Sequence, residues 1–230
     1  MKVSICTITY NRHDFLKILE DSVLSQEYPH ELIEWIVVDD SDPVFDDYCF
    51  KSEKLITIVY KRLNKRIPLG KKRNIANKLA NGEIIINMDD DDSYPNTRVN
   101  HAVEKLKSSR CLIAGCNTQA TYFLDNDELW VTTIPHPWHS IASSFAYKKK
   151  LLEVTSYCDN DWISEEKYFL KNYSIELLQL EPSKTILSIA HSTNAFNKDH
   201  IRKAPKEFSA KKLFLNKDQK YLVKVRVSRY

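Results

Sequence analysis

Four consecutive aspartates are the feature of this sequence with the clearest chemical potential. They occupy positions 89–92 and directly follow the apolar run at residues 84–86, where a buried strand would end. Adjacent carboxylates repel one another, more strongly in a partly desolvated cleft, and a divalent cation relieves the repulsion. Oxygen ligands of this kind favour Mg²⁺ or Mn²⁺ over zinc. A solvated acidic loop is the alternative, but a strand end among other polar strand ends favours a metal site.

The spacing of the four carboxylates limits how many can reach one ion. If the chain stays extended, Asp89 and Asp91 lie on one side, and Asp90 and Asp92 lie on the other. At most two or three can then face the same cation. The remaining carboxylates would meet a ribose, cap the helix that starts near Pro95, or face water.

Two further predicted strands also end in polar residues. The apolar segment at residues 3–8 runs into TITYNR, and residues 34–39 run into VVDDSD. In open α/β sheets, ligands bind beyond the carboxyl ends of the strands. Asp39 and Asp40 are placed to accept hydrogen bonds from a base or a ribose there. An Asx-type turn with Ser41 is the alternative role for this pair.

A basic segment lies between the second polar strand end and the aspartates. It comprises the loop at residues 61–66 and the helix start Gly70-Lys71-Lys72-Arg73. Cations and free N–H groups at a helix start suit phosphate oxygens. Taken alone, a basic run is more often a solvated surface.

The elements that position these residues alternate between strand and helix. Strands are predicted at residues 3–8, 34–39, 55–60 and 83–88, and helices at about 15–24, 71–79 and 99–106. This order predicts an α/β fold with a mostly parallel sheet flanked by helices. Several short strands at residues 111–147 predict a smaller mixed or antiparallel part. A helix at 161–172, an amphipathic stretch at 208–215 and a strand at 221–230 complete the prediction.

Composition bounds the class of protein. The chain has 230 residues, of which 43% are hydrophobic and 28% charged, and its net charge of +3 is too small to indicate a nucleic-acid partner. No apolar run is long enough to span a bilayer, and the first residues resemble a strand more than a signal peptide. Five scattered cysteines without a CxxC pair favour a reduced, cytoplasmic protein. Three glycines are too few for a dinucleotide fingerprint or a P-loop.

Four segments, in this order and spacing, resemble a known family. VSICTITYNR, WIVVDDSD, GKKRN followed by NGE, and INMDDDD are similar to the nucleotide-sugar glycosyltransferases of the GT-A fold, specifically inverting family 2. The resemblance is close over residues 1–110 and looser through SEEKYFL at 164–170 and HSTNAF at 191–196. The sequence also resembles, less closely, small GT-A domains of large DNA viruses that glycosylate capsid proteins in the host cytoplasm.

The resemblance implies roles for individual residues. Asp89 and Asp91 fit the DxD positions, and Asp91 and Asp89 with His191 would hold Mn²⁺ or Mg²⁺. Asp90 and Asp92 stay open as ligands, because a run of four leaves the register uncertain by one. The implied donor-binding residues are Thr7, Thr9, Tyr10, Arg12, Asp39, Asp40, Lys71, Arg73, Asp89 and Asp90.

A second acidic pair lies downstream. Glu166 fits the position of the catalytic base, although the family more often has an aspartate there. Glu165 either orients Glu166 or is itself the base, and an exposed acidic pair is the alternative. Trp138 or Trp162 could stack on a sugar, but a core position is favoured for both. His191 could instead be a hydrogen-bonded histidine at a strand end.

The implied reaction moves a sugar from a nucleotide diphosphate sugar, expected to be a UDP-sugar, to a hydroxyl of a glycan or glycoprotein acceptor. Residues 1–110 would bind the donor, residues 111–200 would form the acceptor-binding and catalytic half of the same domain, and residues 201–230 would be an extension. A nucleotidyltransferase is one alternative, but no glycine-rich loop lies between Ser4 and Arg12. A non-catalytic carbohydrate- or protein-binding module is another, and the intact acids argue against it.

Overall fold

The computed structural model describes residues 1–51, 55–194, 198–203 and 211–213. Its helices are α1 (His13–Leu24), α2 (Leu69–Leu79), α3 (Arg98–Lys107), α4 (Glu165–Phe169) and α5 (His200–Lys203). Its strands are β1 (Val3–Thr9), β2 (Ile33–Asp39), β3 (Thr57–Arg62), β4 (Ile84–Asn87), β5 (Ile113–Gly115), β6 (Thr118–Phe123), β7 (Glu128–Thr133), β8 (Ala146–Lys148), β9 (Leu177–Gln179), β10 (Leu187–Ala190) and β11 (Lys211–Leu213). Short 3-10 turns lie at His30–Leu32, Ala142–Ser144, Lys149–Glu153 and Pro182–Lys184.

The larger sheet has seven strands among the described residues, in the order β3-β2-β1-β4-β8-β5-β9. β1 pairs in parallel with both β2 and β4, and β2 pairs in parallel with β3. β8 runs antiparallel to its two neighbours. The register aligns Thr9 with Asp39 and Asp39 with Arg62. The strands β1, β2 and β3 therefore end at one level, and the polar residues at their carboxyl ends lie side by side.

Helices cover both faces of this sheet because its central strands are apolar on both sides. Val3 and Ile5 of β1 pack in one core cluster with residues of α1 and α3. Cys6 and Ile8 of the same strand pack in a second cluster with Ala76 of α2. The alternating side chains of one strand thus hold helices on opposite faces.

A smaller mixed sheet, β10-β6-β7-β11, stands beside the carboxyl end of β4. The backbones of Ser93 and Leu187 exchange hydrogen bonds of 2.9 and 2.8 Å. Ser93 directly follows the aspartate run, so this bridge brings β10 against the run. The α/β fold with a mostly parallel sheet and a smaller mixed part is confirmed.

Two predicted details differ or cannot be compared. The helix predicted at 161–172 is only Glu165–Phe169, because Ser164 before it and Lys171 after it have positive φ angles of 56° and 49°. The amphipathic stretch at 208–215 lies largely outside the described residues, and the strand at 221–230 lies wholly outside them. No helix within the described ranges is long and apolar enough to cross a membrane.

Candidate active site

The aspartate run does not stay extended. The chain turns at Asp90 and Asp91, so the predicted division into two alternating sides is wrong, and each carboxylate has its own partners. Asp92 is anchored on β10, where its Oδ1 accepts hydrogen bonds of 3.0 Å from Ser188 Oγ and from the Ile189 backbone N–H. Asp92 therefore joins the two sheets.

Asp89 belongs to an ion-pair chain that reaches the second acidic pair. Arg73 on α2 donates to both carboxylate oxygens of Asp89, at 3.0 and 2.9 Å. Its Nε donates to Glu165 Oε1 at 2.7 Å. Arg73 and Glu165 are buried. Arg73 therefore links the DxD segment to the segment that carries Glu166.

Arg12 neutralises the middle of the run. Its Nη1 lies 3.1 Å from Asp90 Oδ1 and 2.7 Å from Asp91 Oδ2. Thr9 donates a further bond of 2.6 Å to Asp90 Oδ2. Burial and the charge of Asp91 raise the pKa of Asp90 to about 7. Burial also raises the pKa of Asp91. The hydrogen bond from His191 and the charge of Arg12 outweigh the effect of burial and hold the Asp91 pKa well below its usual range. Asp91 is thus the member of this pair that stays ionised.

Asp91 and His191 converge as two candidate metal ligands. His191 Nε2 lies 3.2 Å from Asp91 Oδ2, and the ring stacks on Phe15 at a centroid distance of 4.7 Å. His191 Nδ1 lies 2.9 Å from Thr193 Oγ1 and accepts a bond of 3.3 Å from the Thr193 backbone N–H, so the ring proton lies on Nε2, towards Asp91. A cation bound to Nε2 would take the place of that proton. Asp89, expected as a third ligand, binds Arg73 in this structure, and its role as a metal ligand stays a prediction.

The donor set at this point fits a divalent cation held by few protein ligands. No group of three or more His, Cys, Asp or Glu side chains within the described residues is arranged to hold an ion. One carboxylate and one imidazole suit Mn²⁺, with water and substrate phosphates supplying the other positions. In this structure the Arg12 guanidinium supplies the positive charge beside Asp91.

The fully buried Asp39 side chain lies at the centre of a hydrogen-bond network. The carboxylate accepts bonds from the Ser41 backbone N–H at 2.8 Å, Tyr60 at 2.6 Å and Arg62 at 2.9 Å, with His13 Nε2 at 3.0 Å. Burial raises the pKa of Asp39, but the bonds from Ser41 and Tyr60 outweigh this and lower it overall. The Asx-type turn with Ser41 does form. A contact between Asp39 and a nucleoside stays a prediction, and it would require one of these donors to release the carboxylate.

Asp40 is paired with Lys72, a lysine of the basic helix start. Lys72 is buried, its Nζ donates to Asp40 Oδ1, and it also donates to the Thr9 carbonyl oxygen at 3.0 Å. The Ile67 backbone N–H donates to Asp40 Oδ2 at 2.8 Å. Lys71, which was expected at the diphosphate, is exposed on the other side of α2. The contact of Lys71 with a diphosphate stays a prediction.

The end of β1 contributes one internal and one accessible side chain. Thr7 is fully buried, and its hydroxyl donates to the Met88 carbonyl at 2.8 Å and accepts from Trp35 at 2.9 Å. Its predicted contact with the nucleoside would break these bonds. Tyr10 lies further out, with the Arg66 guanidinium 4.3 Å from its ring centroid.

Trp138 and Trp162 are not core residues, which corrects the favoured interpretation for both. Trp162 is 50% exposed and Trp138 is 38% exposed. Arg66 lies 5.5 Å from the Trp162 ring centroid, so it stands between the β1 loop and the segment that precedes α4. Trp162 also lines a cavity that it shares with Asp89 and Glu166, where a sugar ring could stack on it.

Glu166 opens on the same cavity as the aspartates. The cavity measures about 360 Å³ and is lined by Arg73, Asp89, Asp91, Glu165 and Glu166, among others. Its far wall comes from β6 and β7 of the smaller sheet. Burial, and then the charge of Glu165, raise the pKa of Glu166 from 4.5 to about 7. A carboxyl group with this pKa can accept a proton near neutral pH.

Comparison with known proteins agrees with this arrangement. The sequence profile of the family described as glycosyl transferase family 2 matches residues 4–170. The chain belongs to glycosyl transferase family 2. The matched region contains the ends of β1, β2 and β4, Arg73 and Glu166.

A curated relative and several solved structures share parts of this family 2 chain. Poly(ribitol-phosphate) beta-glucosyltransferase of Bacillus spizizenii is 35% identical over 97 residues, which is 40% of this chain and 15% of that protein. TarS of S. aureus has a TM-score of 0.61 at 18% identity over 83% of this chain and 37% of its own. The mannosyltransferase PcManGT from Pyrobaculum calidifontis, in complex with GDP-Man and Mn²⁺, has a TM-score of 0.62 at 16% identity over 84% of this chain and 58% of its own.

These structural matches establish the GT-A fold for this family 2 chain. A 1–349 form of TarS in complex with UDP-GlcNAc also matches, with a TM-score of 0.59 at 16% identity over 85% of this chain and 60% of its own. The chain spans only part of these proteins, from 15% of the curated relative to 60% of this shorter TarS form.

Proposed function

We propose that this family 2 chain is an inverting glycosyltransferase that moves a sugar from a UDP-sugar to a hydroxyl group of a glycan or glycoprotein, with Mn²⁺ or Mg²⁺ as cofactor. One observation carries the proposal. Arg73 connects Asp89 with Glu165, so the aspartate run and the acidic pair line one cavity. A departing diphosphate and an attacking hydroxyl need these two kinds of group on opposite sides of the sugar.

The donor is proposed from the relatives and from the polar strand ends. TarS has been solved with UDP and with UDP-GlcNAc, and the curated relative is named as a glucosyltransferase. Tyr10, Thr9 and the Asp39 network stand where a donor nucleotide would enter this fold. Lys72 and Arg73 supply positive charge beneath that position.

In the proposed reaction, Glu166 removes the proton of the acceptor hydroxyl while its oxygen attacks the anomeric carbon. The bond from that carbon to the diphosphate oxygen breaks in the same step, so a single displacement inverts the configuration. Glu165 is held by Arg73 and keeps Glu166 directed into the cavity. Asp91 and His191 would hold the cation, which neutralises charge on the departing diphosphate when bound.

A cytoplasmic location is part of the proposal. All five cysteines lie in described residues and are unpaired, which agrees with a reducing compartment.

The decisive experiment screens a panel of UDP- and GDP-sugars for hydrolysis that depends on Mn²⁺. We expect one donor to be cleaved to nucleoside diphosphate and free sugar, and Asp91→Asn to abolish this cleavage. Synthesis of a sugar nucleotide from a sugar phosphate and UTP would instead favour a nucleotidyltransferase. A protein that binds sugars but cleaves no donor would favour a binding module.

A further inference from the structure

Arg12 contacts two separate parts of the site, the aspartate run and the segment around Thr193. Its Nη1 donates to Asp90 Oδ1 and Asp91 Oδ2, and its Nη2 donates to the Thr193 carbonyl oxygen. The Arg12 side chain is only 16% exposed. These charge-assisted bonds are therefore screened less by water and salt than those of a surface pair.

A single oxygen atom carries both the arginine contact and the proposed metal contact. Asp91 Oδ2 accepts bonds from Arg12 at 2.7 Å and Asn194 at 3.0 Å, and lies 3.2 Å from His191 Nε2. A cation between Asp91 and His191 would have to share that oxygen with a guanidinium that is always charged. Because like charges on one carboxylate oxygen repel, the two cannot both keep close contact.

We infer that Arg12 is the resident counter-cation of the aspartate run, and that a divalent cation binds Asp91 by displacing it. Arg12 is then a positioning residue with two effects. It holds Asp91 in place before the metal arrives, and it sets the concentration of free cation at which the site fills. This inference rests on the proposed metal site and names the group that competes for it.

The test measures Mn²⁺ binding to the full chain from the electron paramagnetic resonance signal of the free ion, with and without UDP. Arg12→Gln removes the competing charge, so its affinity for Mn²⁺ should rise at least about tenfold, the effect of one hydrogen bond to a charged group. Arg12→Lys keeps the charge but cannot bridge two carboxylates, so its affinity should be intermediate. Arg110→Gln removes the same charge from an exposed ion pair and should bind Mn²⁺ as the wild type does.

Equal or weaker Mn²⁺ binding in Arg12→Gln would overturn the inference and leave the metal site standing. If neither protein binds Mn²⁺, with or without UDP, the metal site itself is wrong and the inference fails with it. Circular dichroism establishes whether the variants fold. If Arg12→Gln does not fold, the Mn²⁺ affinity of Arg12→Lys is compared with that of the wild type. A higher affinity supports the inference, and an equal or lower affinity overturns it.

Discussion

Arg73 Nε donates to Glu165 Oε1 at 2.7 Å, across 92 positions of sequence. The same guanidinium holds Asp89, so one buried cation fixes both acidic segments of the site. Removing it leaves two carboxylates without a counter-charge in a partly desolvated cavity. Arg73 therefore holds the two acidic segments together.

Arg73→Met should lower the free energy of unfolding by about 3–5 kcal/mol, because breaking a buried ion pair leaves an uncompensated charge. Arg73→Lys should lose less, since it keeps the charge but not the bidentate geometry. Urea denaturation measures both. Arg110→Met, in an exposed pair with Glu176 at 3.5 Å, is the control and should lose about 0–1 kcal/mol. If Arg73→Met also lowers the free energy of unfolding by only about 0–1 kcal/mol, the two carboxylates are neutralised in another way.

Glu166→Gln should keep donor binding and lose transfer by about 10²–10⁴-fold, the usual contribution of a general base. Calorimetry with UDP and a steady-state assay separate the two effects. Glu165→Gln should lose less activity but more stability, because Glu165 contacts Arg73 and is not the proposed base. A near-normal transfer rate in Glu166→Gln would place the base elsewhere.

The raised pKa of Glu166 predicts a pH dependence. The base must be ionised, so kcat/KM should fall as pH drops through about 7, roughly tenfold per pH unit well below that value. Stability should change in the opposite direction. A carboxyl group whose folded pKa exceeds its unfolded value of 4.5 favours the folded state when protonated, and this contribution is lost as pH rises from 4.5 to about 7. Glu166→Gln should reduce this slope without removing it, because the pKa of Asp90 is also raised to about 7 by burial and the charge of Asp91. A wild-type kcat/KM that does not fall below about pH 7 would contradict the assignment.

Gly70→Ala should reduce transfer and lower the free energy of unfolding by about 1–3 kcal/mol. A Cβ atom there would collide with the Cys158 carbonyl oxygen, and the Gly70 backbone N–H already donates to Asp161 O at 3.0 Å. The segment leading to Glu166 would have to move away from α2. Urea denaturation and the transfer assay check this, with exposed Lys78→Ala on the same helix as control. Unchanged activity would show that this close approach does not position the base.

The polar strand ends could be predicted because the buried strands stop abruptly at polar residues. TITYNR, VVDDSD and INMDDDD all meet at the carboxyl end of the parallel sheet. The buried face of α2 could also be predicted, since helical periodicity places Lys72, Arg73 and Ala76 on the same side of the helix.

The partners of these residues could not be predicted, because packing between distant segments sets them. Asp91 contacts His191 and Asn194, which lie about 100 positions later in the chain. The turn at Asp90 and Asp91 contains no glycine or proline, so no sequence signal predicts it. The role of Arg12 follows from that turn, which brings two carboxylates to one guanidinium. Nothing in the local sequence distinguishes this arginine from a solvated one.

The anchoring of Asp92 on β10 has a consequence for the order of folding. β1, β2 and β4 pair within the first part of the chain, whereas Asp92 gains its partners Ser188 and Ile189 from positions 96 and 97 residues downstream. β10 follows β1, β2 and β4 in the chain, so it is synthesised after them. On a ribosome, the parallel strands would therefore assemble early, and the newly made protein would become competent to bind its donor only after β10 has emerged.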